Sequence, residues 1–342
     1  MPAISRRPFA VALASDVVTL DSRAEAGAEP RERTMGDRII CGWRVRSSRP
    51  LPETLPWGDG DSAVDIAVTH GKIPTHIGKR SADLPYIEVS TNGCVLIDAT
   101  PLTRFLVTAS TVVVDTELPP EATEWRAYLL GPVLAVICYL RGLLPLHASA
   151  VQIGGRAIGI AGRSGAGKST LAVMLSRRGH AAITDDICVC TGLPGPPRVI
   201  PTYPAFRLSP ESLAALHIDG RNLDPIGLNF EKLQLLRPQG FDPKPVPFEA
   251  IYLIEDGPGG PDDKDAILPL AGTEAFQRLG AEIYRPAMGR RLLAKATFFS
   301  LVGWLAAQLP IRRLVRRPSF ARLEALADII EADATSLMQV SR

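Results

Sequence analysis

Gly162-Arg163-Ser164-Gly165-Ala166-Gly167-Lys168-Ser169 fits the pattern G-x-x-x-x-G-K-[ST], and each residue type in it suits the binding of phosphate. Glycines admit backbone conformations that other residues avoid, so successive N–H groups can turn toward one anion. Lys168 would place a point charge on the β- and γ-phosphates of a nucleoside triphosphate such as ATP. Ser169 would offer a hydroxyl to Mg²⁺ at a helix N-terminus, where the helix dipole also favours anions, and Thr170 follows in the same turn.

A second group of residues suits proton transfer. Asp185-Asp186 closes the short apolar run Ala181-Ala182-Ile183-Thr184. Adjacent carboxylates at the end of a buried strand are costly unless a cation or hydrogen bonds compensate them. In a nucleotide site Mg²⁺ supplies that compensation. One carboxylate holds the metal or its water, and the other accepts the proton of an attacking hydroxyl. His147 lies in Leu146-His147-Ala148-Ser149-Ala150-Val151, a strand by composition. On spacing alone a lone histidine on an apolar strand reads first as a packed core residue and only second as a functional one. Cys188-x-Cys190 lacks the two-residue gap of a redox or zinc knuckle and reads as ordinary strand residues.

These residues need elements to hold them. Ala157 to Ala161 is a short apolar run suited to a buried strand entering the loop. Leu171, Met174 and Leu175, closed by Arg177-Arg178-Gly179, predict the amphipathic helix that leaves it. Leu146–Val151 turns at Gly154-Gly155 and pairs naturally with the strand feeding the loop. Upstream, Pro119-Pro120-Glu121 opens a predicted helix to about Arg141, kinked at Pro132.

The chain has 342 residues, more than one domain usually holds, and 46% are apolar, enough for sizeable cores. Residues 1–35 predict a leader without regular structure, 36–118 a small β-rich domain that is mostly antiparallel, and 119–342 a nucleotide-binding domain ending in helices. Asn92-Gly93 marks a hairpin in the β-rich part. Three C-terminal helices are expected, over Thr273–Leu279, Ala287–Gln308 and Ser319–Ala332. A net charge of +2 gives no case for nucleic-acid binding. Five scattered cysteines fit a reducing compartment, and no apolar run reaches membrane-spanning length. Cytoplasmic location and no membrane contact are expected. Lys232, Arg237 and the arginines at 285, 290, 291, 312, 313, 316 and 317 are cations that could meet phosphate or an acidic substrate, or simply face solvent.

Taken together, Leu146–Val151, Gly162–Ser169, Arg178-Gly179-His180 and Thr184-Asp185-Asp186 resemble the catalytic domain of the bacterial HPr serine kinase/phosphorylase family, over roughly residues 125 to 255. The resemblance implies an α/β P-loop kinase core of the HPr kinase/phosphoenolpyruvate-carboxykinase-like type. It also implies ATP and Mg²⁺ at Lys168 and Ser169, Asp185 helping with the metal, Asp186 as the base on a serine hydroxyl, and His147 tuning Asp186. Oligomers are common in that family. The long signature stretch that goes with HPr recognition is absent, and the N-terminal part differs. With Leu129-Leu130-Gly131-Pro132-Val133-Leu134 added, the pattern looks more like the HPr-kinase-like proteins of lasso-peptide pathways, which phosphorylate a serine of a precursor peptide. The alternatives are a kinase acting on HPr, another small protein or a metabolite, and a nucleotide-binding regulatory protein.

Overall fold

The computed structural model describes residues 36–58, 62–81, 84–227, 231–257 and 265–340; the expected leader over residues 1–35 lies outside them. The described part is mixed α/β. Its first sheet takes β1 (Arg38–Ile40), β2 (Trp43–Ser47), β3 (Leu55–Pro56), β4 (Ile66–His70), β5 (Lys79–Ser81), β6 (Leu84–Val89), β7 (Val95–Thr100), β8 (Thr103–Val107) and β9 (Thr111–Thr116). Their order is β3-β1-β2-β4-β9-β8-β7-β6-β5. Most neighbours are antiparallel, but β4 runs parallel to both β2 and β9. The β6–β7 hairpin turns through Asn92-Gly93, with Gly93 at φ 82°.

The long helix expected after Pro120 is interrupted. α1 (Thr123–Tyr128) and α2 (Leu134–Leu140) are joined by a wider turn over Leu129–Val133, where Gly131 leaves helical geometry and Pro132 has no N–H to give. Arg126 on α1 is buried against Glu53, Nε to Oε1 2.6 Å, and also donates to the carbonyls of Glu121 and Ala122. Glu53→Ala would leave the guanidinium buried without its counter-ion. We expect it to lower unfolding free energy by about 3–5 kcal/mol in urea titration, and an unchanged midpoint would count against the pair.

The second sheet holds the site. It contains β10 (Leu144–Leu146), β11 (Ala148–Ile153), β12 (Arg156–Ala161), β13 (Ala181–Thr184), β14 (Cys188–Thr191) and β15 (Arg198–Ile200). A small separate ribbon pairs β16 (Ala205–Leu208) with β17 (Leu233–Leu236). The sheet continues with β18 (Val246–Asp256), β19 (Ala266–Leu270) and β20 (Ile311–Arg316). β12 runs antiparallel to β11 and parallel to β18, which in turn runs parallel to β20. Alternation along the strands serves two cores. Ile158 and Ile160 of β12, with Ala250 and Tyr252 of β18, meet α3 (Lys168–Arg177) and the C-terminal α8 (Leu323–Val340). Ala157, Ala161, Ile251 and Leu253 face the other way, into a core shared with α2 and with Phe105 and Val112 of the first sheet. A Cβ at Gly159 would stand 3.0 Å from the Phe248 ring, so a side chain there would push that ring back from β12.

The remaining helices are α4 (Pro210–Ala215), α5 (Gly272–Ala281), α6 (Pro286–Leu292) and α7 (Lys295–Gln308). Two expectations are corrected here. The helix expected over Ala287–Gln308 breaks at Leu293-Ala294, where Leu293 is extended and Ala294 precedes α7. The C-terminal part is also not purely helical, because Ile311–Arg316 is a strand. Its Ile311 and Leu314 are buried on the sheet, which outweighs the polar arginines between them. No helix among the described residues is long and apolar enough to cross a membrane.

Candidate functional site

β12 ends at Ala161 and the chain turns sharply at Gly162, whose φ of 141° is open to glycine and strained for other residues. A Cβ there would also lie 3.0 Å from the Ile254 carbonyl oxygen. Gly165 and Gly167 take φ of 80° and 81°, and α3 begins at Lys168. Strand, loop and helix thus follow in the order that the residue pattern requires.

Ser164 to Thr170 line a cavity of about 500 Å³ together with His147, Asp185, Asp186, Arg207 and Lys232. Gly162 and Arg163 do not. The Gly162 N–H is taken by Glu282 Oε2 at 3.0 Å, and the Arg163 side chain pairs with Asp256 on the exposed side of the loop. Lys168 is buried, its Nζ donating to the Gly162 and Arg163 carbonyls at 2.8 and 3.2 Å. Burial pushes its pKa down, against the opposing pull of Asp186, Glu282 and Asp185. Thr170 Oγ1 lies 2.9 Å from Ser212 Oγ, which anchors the first turn of α3 to α4.

The two aspartates have different surroundings. Asp185 is 2% exposed and accepts three hydrogen bonds: from Ser149 Oγ at 2.5 Å, Ser169 Oγ at 2.8 Å and the Arg207 N–H at 2.9 Å. Asp186 stands at the cavity wall with its side chain 22% exposed. Its Oδ1 is 3.1 Å from His147 Nδ1 and its Oδ2 3.2 Å from Arg207 Nη1. His147 Nδ1 also lies 3.2 Å from the Asp186 carbonyl oxygen. Two acceptors on one ring nitrogen assign the proton to Nδ1. Burial works against the Asp186 carboxylate, but the His147 hydrogen bond and the charges of Arg207, His147 and Lys232 outweigh it and hold the carboxyl well below its usual range.

The backbone sets this geometry. Asp186 has φ 68°, and the Ile187 N–H donates to the Asp185 carbonyl at 2.8 Å, closing a tight three-residue turn. Aspartate tolerates that region better than most residues, and such strain gathers at functional sites. The expected strand over Leu146–Val151 is split at His147. β10 pairs with β14 and β11 with β12, while the His147 N–H goes to the Glu282 carbonyl at 2.6 Å. The split lets His147 face Asp186, and Tyr284 packs edge-on at 5.8 Å between ring centroids.

Three site residues, Ser149, Arg207 and Glu282, carried no role in the sequence reading, and a fourth, Arg316, was named only among several cations that could meet phosphate. Ser149 follows His147 by two positions at the start of β11, so a hydroxyl in an apolar run was the available signal. Arg207, within Ala205-Phe206-Arg207-Leu208, was likewise a lone charge on an apolar strand. Glu282 had no local signal; burial pushes its pKa up, while the Gly162 N–H pulls it back. Arg316 lay hidden in a basic run. It is 9% exposed, donates from Nη2 to the Ala166 carbonyl at 2.7 Å, and stands 3.5 Å from Asp256. Its neighbours are engaged elsewhere: Arg312 with Asp333 and Arg313 with Glu255. Lys232 reaches the cavity wall; Arg237 is not among its lining residues.

Among the described residues no three His, Cys, Asp or Glu side chains cluster as a metal site. Ser169 and Asp185 nevertheless suit Mg²⁺, a hard cation held by few protein oxygens and completed by phosphate and water. All five cysteines are free thiols, with Cys188 and Cys190 buried in β14.

No protein-family model matches the chain, and no curated protein matches it. Among solved structures, the HPr(Ser) kinase/phosphatase from Coxiella burnetii is similar at 10% identity, with a TM-score of 0.33, over 58% of this chain and 94% of that one. At that score the likeness lends no weight to a functional reading, which rests on the site itself.

Proposed function

We propose that the protein is a Mg²⁺-dependent kinase that moves the γ-phosphoryl group of ATP to a serine hydroxyl. The observation that carries this reading is the division of labour between the two aspartates. Asp185 engages Ser169 of the phosphate-type loop, while Asp186 is held ionised at the wall of the same cavity by His147 and Arg207. Phosphoryl transfer asks mainly for positioning and charge neutralisation. Lys168 and the loop N–H groups would bind the β- and γ-phosphates, and Ser169 with Asp185 would hold the metal. Mg²⁺ there supplies neutralisation of the phosphate charge. The serine oxygen forms a bond to the γ-phosphorus, the bond from that phosphorus to the β–γ bridging oxygen breaks, ADP leaves, and the serine proton passes to Asp186. His147 orients Asp186 through Nδ1–H.

Resemblance of the motifs over residues 125–255 to HPr-kinase-like proteins supports the kinase core, and the lasso-pathway pattern supports a precursor peptide as the acceptor. The test is mass spectrometry of serine-containing precursor peptides of that type after incubation with the protein, Mg²⁺ and ATP. A gain of one phosphate on a serine is expected. Bound ATP with no gain on any serine peptide would overturn the acceptor and leave the nucleotide site standing.

A further inference from the structure

The cavity lining is of two kinds. His147, Asp186 and Lys232 are polar, whereas Ile254, Pro318, Phe320, Leu323 and Leu326 are apolar, and the contacts of Phe320 and Leu323 with a neighbouring cavity along α3 set that group apart as an apolar end. Leu326, Ile254 and Leu323 are 2%, 6% and 7% exposed and form a floor, whereas Phe320 is 51% exposed. A single segment links the apolar end to the loop: Arg316 closes on Ala166, and Phe320 follows four residues later in the one-turn helix Phe320–Arg322. Phe320 and Leu323 also border a second cavity beside Met174, Arg177 and Arg178. That places them along the flank of α3, past Thr170 and away from the acidic pair.

From these positions we infer that the apolar end is the nucleobase site and that Phe320 is the platform on which the base stacks. The inference rests on the proposed reading of the loop as a triphosphate site. A triphosphate lying on the loop with its γ-phosphate toward Asp186 directs its nucleoside the other way, along α3. An exposed aromatic ring over a buried aliphatic floor suits a flat heterocycle, whose π-face stacks well on phenylalanine. A volume of about 500 Å³ is in the range of small-ligand sites. The acceptor peptide, which must reach Asp186, is left the opposite end.

Equilibrium titration separates the base from the phosphates, using Mg-ATP and Mg-tripolyphosphate as probes. Phe320→Ala should weaken ATP binding by roughly 5- to 100-fold, the range for loss of one base–aromatic stack, and leave tripolyphosphate binding unchanged. Phe320→Trp should restore ATP binding. Because the ring is half in solvent, the fold should tolerate both variants, and circular dichroism checks this. Unchanged ATP affinity in Phe320→Ala, or an equal loss for both probes, overturns the base site alone. Wild-type protein that binds neither probe overturns the phosphate-loop reading, and the base site with it.

Discussion

Asp186→Asn should lower phosphoryl transfer by roughly 10²–10⁴-fold, the usual contribution of a positioned base, while Mg-ATP still binds. Asparagine is the informative replacement. It keeps the size of the side chain and tolerates φ 68°, so the turn at Asp185-Asp186-Ile187 persists and only the proton acceptor is lost. Single-turnover transfer measured beside equilibrium ATP binding gives the two readings separately. Near-normal transfer in this variant would remove Asp186 from the role of base. The direction of its pKa adds a condition. Since His147 and Arg207 lower the folded value against the cost of burial, the carboxylate form is favoured by folding. Its stabilising effect is complete above the ordinary carboxylate value of about 4 and fades as the pH falls below it. Asp186 therefore contributes no acid limb to the rate near neutrality, and a neutral-range inflection that survived in Asp186→Asn would belong to another group.

Lys168→Ala should weaken Mg-ATP binding by roughly 10- to 150-fold, the scale of losing a hydrogen bond to a charged group worth about 1.5–3 kcal/mol. The lysine is 7% exposed, and its ammonium sits on the Gly162 and Arg163 carbonyls, so the same atom holds the loop and carries the cation. Arginine should not rescue the variant. A planar fork is bulkier than an ammonium and does not fit between those two carbonyls without moving the loop. Isothermal titration with Mg-ATP measures both variants, and affinity within a few-fold of wild type in Lys168→Ala would end the phosphate-loop reading. Together with Asp186→Asn, this variant divides binding from chemistry. The lysine variant should bind far more weakly, and the aspartate variant should bind normally but transfer far more slowly.

The chain's local signals accounted for the parts of the site that are contiguous in sequence. The glycines at 162, 165 and 167, the helix from Lys168 and the strand to Ala161 follow from short-range conformational rules, which act within a few residues. Adjacent aspartates after a short buried strand announced themselves through the cost of burying charge. Residue types alone, though, gave both aspartates the same description. Only the fold separates them, by bringing Ser149, Ser169 and the Arg207 N–H to one and His147 and the Arg207 guanidinium to the other.

The same limit explains the misread C-terminal end. Ile311–Arg316 carries three arginines among three apolar residues and offered no strand signal of its own; it becomes a strand because β18 and β19 offer edges that bury Ile311 and Leu314. That choice brings Arg316 onto the phosphate-type loop and Phe320 into the lining of the cavity. Glu282 reaches Gly162 across 120 positions of sequence for the same kind of reason. By itself the sequence determined the loop, its strand and helix, and the paired acids, because those depend on neighbours along the chain. The tertiary structure decided which acid is buried, which cations meet the site and where the apolar end lies, because burial and pairing across a sheet depend on residues far away in the chain.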